Sequence, residues 1–182
     1  DQILVSPYIK NDSVTVTLVS DNLTSVKGVF QIKAMTLDDK VLYEQKKTLK
    51  AKANTSALIF DRPLSELIKN ENKGNIIIYT TFVTTKKTYD NIGFAVKQKD
   101  MNYEKVNIAK QITAAKNGFN VTLESNKFAR GVFMSIHGID NFFGDNYFDL
   151  LPGKSKTVFV RTSLSQKDFE NQLKIISLVD SY

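Results

Sequence analysis

One histidine, six glutamates and a short aromatic–acidic run are the groups in this sequence best placed to do chemistry. The histidine, His137, follows the alternating segment Phe133-Met134-Ser135-Ile136. A Ser–His–Asp relay would depend on this one position, and no Ser or Cys stands recognisably poised beside it. A structural or rim hydrogen bond is its expected role. The glutamates Glu44, Glu66, Glu71, Glu104, Glu124 and Glu170 lie in polar or alternating contexts that predict exposure. A glycosidic general acid needs a carboxyl raised by burial near a second carboxylate, which these contexts do not offer. Cysteine is absent, so thiol catalysis, disulfides and thiolate-held metals are excluded. No G-x-S-x-G, P-loop, G-x-G-x-x-G or H-E-x-x-H pattern occurs. The expectation is therefore no catalytic residue, no metal and no cofactor.

The run Asp140-Asn141-Phe142-Phe143-Gly144-Asp145-Asn146-Tyr147-Phe148-Asp149 concentrates three carboxylates, two Asn and four aromatics in ten residues. Oxygens from Asp140, Asn141 and Asp145 suggest calcium, but the D-x-[DN]-x-[DN]-G spacing is not met. Aromatic faces beside Asp and Asn suggest a sugar platform. The plainer reading is structural. Phe142 or Phe143 enters the core, Gly144-Asp145-Asn146 turns, and Tyr147, Phe148, Leu150 and Leu151 form a strand that points Phe148 and Leu150 inward.

The elements that must position these groups are strands. Val14, Val16 and Leu18 alternate with Ser13, Thr15 and Thr17; Phe30, Ile32 and Ala34 with Gln31, Lys33 and Met35; Phe119, Val121 and Leu123 with Asn120, Thr122 and Glu124. Period-two alternation buries one set and wets the other. The continuous β-branched or aromatic runs Ile76–Tyr79, Val158–Val160 and Ile175–Val179 suggest central strands. Turn signals at Asn11-Asp12, 37–40, 73–75, Asn117-Gly118 and Pro152-Gly153-Lys154 separate them. Strands are expected near 3–9, 13–20, 27–36, 41–49, 55–60, 75–83 and 91–97. A second set is expected near 105–115, 119–125, 130–136, 143–149, 156–161 and 172–179. Helix is confined to single turns at 63–68 and 166–169.

The two halves repeat. Val16-Thr17-Leu18-Val19-Ser20 matches Val121-Thr122-Leu123-Glu124-Ser125, and Lys27-Gly28-Val29-Phe30 matches Arg130-Gly131-Val132-Phe133. An offset of about 103–105 residues is a domain, not a solenoid unit. The expected organisation is all-β: two tandem immunoglobulin-like antiparallel β-sandwiches, at 1–98 and 99–182, joined by a short charged linker around 97–106.

The chain has 182 residues, 42% of them apolar, including 12 Phe and 7 Tyr, enough for sizeable cores. Lys plus Arg is 25 and Asp plus Glu 19, a net +6. The lysines are scattered, at Lys46-Lys47, Lys50, Lys52, Lys86-Lys87, Lys97 and Lys99, and the only arginines are Arg62, Arg130 and Arg161. That pattern predicts solvated faces and guarded edge strands, with no nucleic-acid partner. No window is apolar enough for a membrane span. Tryptophan is absent, so any sugar platform would fall to Tyr79, Tyr89, Phe94 or Tyr147. Sequon-like triplets start at Asn11, Asn22, Asn54 and Asn120 and matter only in a eukaryotic secretory host.

Residues 129–158 carry a resemblance. Asp145-Asn146-Tyr147-Phe148-Asp149-Leu150-Leu151-Pro152-Gly153 is similar to the S/G-D-N-x-F-x-L-L-P-G-E segment of the last immunoglobulin-like domain of β-mannosidases in glycoside hydrolase family 2. Lys154 stands where that segment has Glu, which touches nothing catalytic. Ile176–Asp180 resembles the family's closing strand, and the first half resembles, more generically, the preceding sandwich.

The resemblance implies a C-terminal fragment whose parent removes terminal β-mannose with two glutamates on an upstream barrel of the same polypeptide. No position here matches either catalytic motif, so the chain itself is expected to be inactive. Its implied role is to pack on the barrel and support the active-site rim, in a periplasmic or extracellular parent. The alternative is a stand-alone glycan-binding or surface-adhesion module for mannose-containing oligosaccharide. On either reading Tyr89, Phe142, Asp145, Asn146 and Tyr147 are the candidate glycan or barrel contacts.

Overall fold

A computed structural model describes residues 2–181. The chain divides into two compact units, Asp1–Asn102 and Tyr103–Tyr182, each with its own apolar core. Each is a sandwich of two antiparallel sheets.

In the first unit, β1 (Ile3–Lys10), β2 (Ser13–Ser20) and β5 (Thr55–Pro63) form one sheet in the order β1-β2-β5. β3 (Val26–Thr36), β4 (Val41–Ala51), β6 (Ile76–Val83) and β7 (Thr88–Phe94) form the other, in the order β4-β3-β6-β7. The alternation seen in sequence maps onto the layers. Val14, Val16 and Leu18 of β2 meet Phe30, Ile32 and Ala34 of β3 in one core with Ile76, Ile78 and Phe82 of β6. Asn11 and Asp12 turn β1 into β2 with φ of 49° and 60°, the left-handed pair whose twist matches a tight hairpin. β6 is buried on both faces up to Phe82, as the continuous run 76–79 predicts for a central strand. β4 is an edge strand and exposes Lys46, Lys47 and Lys50, which blunt it against further pairing.

The second unit repeats the plan. β8 (Ile108–Ala115), β9 (Gly118–Ser125), β11 (Phe142–Phe143) and β13 (Ser155–Arg161) form a sheet in the order β11-β13-β9-β8. β10 (Ala129–Ser135), β12 (Phe148–Leu150) and β14 (Lys174–Ile176) form the other, in the order β12-β10-β14. The repeated V-T-L-x-S segments are β2 and β9, and both end on a buried serine, Ser20 and Ser125. Short helices close the ends: α1 (Leu64–Ile68) buries Leu64, Leu67 and Ile68, and α2 (Gln166–Gln172) buries Phe169. Ser165 caps α2 by accepting from the Asp168 N–H at 3.2 Å, and Phe169 stacks on Phe119 at 4.5 Å between centroids.

Several expectations need correcting. β7 runs over 88–94 and not 91–97, because Thr84 closes a tight turn: its Oγ1 accepts from the Lys86 and Lys87 N–H groups and donates to the Lys87 carbonyl. The strand expected at 143–149 is two short strands, 142–143 and 148–150, in different sheets. The run Ile175–Val179 is not central. β14 stops at Ile176 on a sheet edge, since Ser177 gives its N–H and Oγ–H to Asp180 and the chain coils into a 3-10 helix at Leu178–Ser181. Val158–Val160 alternates, with Phe159 half-exposed. Met35, expected outward, is buried after a register shift between Ala34 and Met35. The linker, expected to have limited hinge freedom, includes residues 98–102. They form a 3-10 turn, Asn102 donates its N–H to the Gly74 carbonyl at 2.9 Å and its Nδ2 to Asn75 Oδ1 at 2.8 Å, and Met101 is buried.

Gly28 is fixed by space. A Cβ there would lie 2.6 Å from the Phe82 ring and 2.7 Å from the Val83 carbonyl oxygen, in the packed centre of the first core. Gly28→Ala is therefore expected to lower unfolding free energy by about 1–3 kcal/mol, through overpacking against ring and backbone. Urea unfolding of the two proteins checks this, and an unchanged midpoint would contradict the packing.

Candidate functional site

Two polar residues of 140–149, Asn146 and Asp149, bind β10. This strand is broken by a bulge: Ala129 pairs with Leu150 and Val132 with Phe148, leaving Arg130 and Gly131 out of register. Gly131 takes φ of 57°, a conformation that favours glycine. Asp149 repairs the gap by accepting the Gly131 N–H at 2.9 Å and pairing with the Arg130 guanidinium. β12 is too short to serve the rest of β10, and Asn146 takes over. Its Oδ1 accepts the Met134 N–H at 2.8 Å and its Nδ2 donates to the Met134 carbonyl at 2.9 Å, so one side-chain amide stands in for a ladder residue.

Around this clamp, Asp145 accepts the Asn146 N–H at 2.8 Å and pairs with Lys156 at 2.6 Å, while the Lys156 ammonium lies 4.4 Å from the Phe148 ring centroid. Tyr147 is not in a strand. It sits at φ of 60°, is 72% exposed, and stacks on Phe133 at 4.6 Å. Phe148 and Leu150 point inward, and Phe143 packs on the core from the other sheet.

Phe142 points the other way. β11 pairs with β13 so that Phe142 faces Arg161 and Phe143 faces the buried Val160. The Phe142 ring is 55% exposed, with the Arg161 guanidinium 5.3 Å from its centroid. Beside it opens a cleft of about 480 Å³ lined by Asn117, Asp140, Asn141, Phe142, Arg161, Thr162 and Ser163. Asn141 donates to the Ile139 carbonyl at 2.6 Å, but its Oδ1 is buried with no hydrogen-bond partner. An unpaired buried acceptor costs about 1–3 kcal/mol.

The sequence candidates thus fall in separate places. Phe142 lines this cleft; Asp145, Asn146 and Tyr147 belong to the clamp beneath β10. Tyr89 lies in the first unit on the edge strand β7, half-buried, under the Lys87 ammonium and beside a cleft of about 340 Å³ that includes Leu4 and Asp90. Of the other rings suggested for sugar contact, Tyr79 is buried, and burial followed by the nearby Asp90 carboxylate pushes its phenol well above the usual range. His137 is exposed, just past β10. Glu71 is half-buried and the other five glutamates are exposed. Among the described residues no three His, Cys, Asp or Glu side chains cluster as a metal site would require. Arg161, Asn117 and Thr162 are not legible as cleft residues in sequence, because the pairing of β13 with both β11 and β9 brings them to Phe142.

Two carboxylates, Glu44 and Asp180, are held ionised by their neighbours. The Glu44 carboxyl is held below its ordinary value, first by the Lys46 hydrogen bond. Asp180 is held below its ordinary value of 3.8, first by the Ser177 N–H, then by the Ser177 hydroxyl, with Lys105 adding a pair at 3.3 Å. A lowered folded-state pKa favours the carboxylate in the native chain. Its contribution is full above 3.8 and disappears as pH falls through the folded value. Asp180→Asn should therefore flatten the acid limb of a stability–pH profile below about pH 4 and leave its slope at neutral pH unchanged. A variant profile parallel to the parent's in acid would count against the Ser177 clamp. Asn146→Ala orphans a donor and an acceptor on β10 and is expected to cost about 2–5 kcal/mol in urea unfolding; a loss below about 1 kcal/mol would mean that water replaces the amide.

Two family models match the chain. The Mannosidase Ig/CBM-like domain covers residues 12–100, and the mannosidase-associated Ig-fold domain covers residues 103–181. No curated protein matches the sequence significantly. Among solved structures, a β-D-mannosidase from Dictyoglomus thermophilum superimposes with a TM-score of 0.79 at 17% identity, over 97% of this chain and 22% of that one. An exo-chitosanase from Amycolatopsis orientalis gives a TM-score of 0.57 at 14% identity, over 95% of this chain and 25% of that one. The chain thus spans about a quarter or less of the length of these enzymes. At such identities the likeness is one of fold, and it extends across both sandwiches. With one model over each sandwich, the chain belongs to the mannosidase-type immunoglobulin-like domains: a Mannosidase Ig/CBM-like domain followed by a mannosidase-associated Ig-fold domain.

Proposed function

We propose that this chain is a non-catalytic accessory region of a β-mannosidase-like glycoside hydrolase, whose parent removes terminal β-mannose residues. It packs on the catalytic barrel and supports the rim of its active site. A retaining mechanism needs two carboxyls about 5–5.5 Å apart, one of them raised by burial. Among the described residues the glutamates are exposed or half-buried, and aspartates such as Asp149 and Asp180 are tied into backbone clamps, which is not the setting of such a pair.

The observation that carries the packing role is the outer face of the sheet β1-β2-β5. Leu4 lies opposite Val19, Tyr8 opposite Thr15, and Leu58 opposite Thr17, so these side chains share the face turned away from the core. Leu4, Tyr8 and Leu58 are exposed, Leu58 by 61%. Clustered exposed apolar side chains beside threonines suit burial against another domain. Among the described residues no helix is long and apolar enough to cross a membrane.

The purified chain is expected to show no turnover of an aryl β-mannoside; turnover abolished by a substitution within it would refute the accessory reading. In the whole parent enzyme, Leu58→Asp with Tyr8→Asp should lower the unfolding temperature while the isolated chain keeps its own. Equal effects on both would show that the face serves only the sandwich.

A further inference from the structure

Phe142 has no packing reason to be where it is. Its neighbour Phe143 anchors β11 in the core, and the register of two residues against β13 then forces Phe142 outward, opposite Arg161. A large ring more than half exposed, at the mouth of a cleft of about 480 Å³ among polar side chains, has the make-up of a ligand site and not of a core edge.

We propose that the cleft formed by Asn117, Asp140, Asn141, Phe142, Arg161 and Thr162 in the second unit binds a neutral pyranoside, one ring of an oligosaccharide. The guanidinium of Arg161 holds the Phe142 ring in place, 5.3 Å from its centroid. Ring C–H groups of a pyranose stack on an aromatic face because they are its apolar side, while its hydroxyls project to the rim. The rim here offers both kinds of partner: a carboxylate at Asp140, amides at Asn117 and Asn141, a hydroxyl at Thr162 and a donor fork at Arg161. Asp140 and Arg161 oppose each other in sign, so the cleft favours neither an anion nor a cation. Asn141, whose buried Oδ1 has no partner within the protein, is one of the residues that line the same cleft. Tyr147, the more exposed ring, stacks on Phe133 and lies outside the lining of this cleft. The site does not depend on the accessory reading; a stand-alone chain would carry it equally.

An amide-resolved NMR titration of the whole 182-residue chain tests it, with β-1,4-mannobiose, cellobiose and sodium phosphate as separate probes. Saturable shifts at residues 140–143 and 161–163 with either disaccharide are expected. Phe142→Ala should weaken that binding roughly tenfold, with the remaining spectrum unchanged. Asp140→Asn, a surface change that leaves β11 intact, should weaken it several-fold and decides the matter if Phe142→Ala does not fold. Flat titrations with both sugars would overturn the proposal. So would saturation by phosphate alone, or sugar shifts insensitive to the variants.

Discussion

A buried strand whose neighbour stops short must still find partners for its peptide groups, because each unpaired N–H or C=O out of water costs about as much as a lost hydrogen bond. In the second sandwich that strand is β10. It carries Val132 and Met134 into the core, yet its partner β12 has three residues and its path is broken by a bulge at Arg130-Gly131. Asn146 and Asp149 answer the shortage with side chains, one amide at Met134 and one carboxylate at Gly131. The segment from Asp145 to Asp149 is therefore first a backbone clamp, and its polarity does not itself mark a ligand site.

That clamp explains how one ten-residue stretch serves two sheets. Residues 142–143 pair with β13 in one layer and residues 148–150 with β10 in the other. The chain crosses between layers over Gly144, Asp145, Asn146 and Tyr147, where a left-handed Tyr147 makes the corner. The crossing leaves Phe142 on the outside of one sheet while Phe148 fills the core from the other. The first sandwich meets the same demands with longer ladders and with close approach at Gly28, so it needs no equivalent polar clamp at β3.

Function follows from where polar groups are already engaged. Asp180, which accepts the Ser177 N–H and hydroxyl, is held ionised, which is opposite to what a general acid requires. The two proposed roles are support of a catalytic barrel and recognition of a pyranoside. The exposed Leu4–Tyr8–Leu58 face and the Phe142 cleft are the surfaces on which those two roles would be exercised.

Alternation at Val14–Leu18, Phe30–Ala34 and Phe119–Leu123, together with the turn pairs Asn11-Asp12 and Asn117-Gly118, determined by itself that the chain is all-β and builds two sandwiches. Periodicity and turn chemistry are local, so they are readable from neighbours in sequence. The Asp145–Gly153 motif likewise carried the resemblance, because its residues serve one local backbone task beside β10. Tertiary structure alone decided which polar residues were spent. Asn146 reads as a turn residue or a glycan or barrel contact, and that Met134, twelve residues back, takes both ends of its amide is visible only in the fold. Arg161 reads as a stray cation until β11 pairs with β13 and brings it over Phe142. Both depend on contacts between residues distant in the chain, which no local pattern encodes.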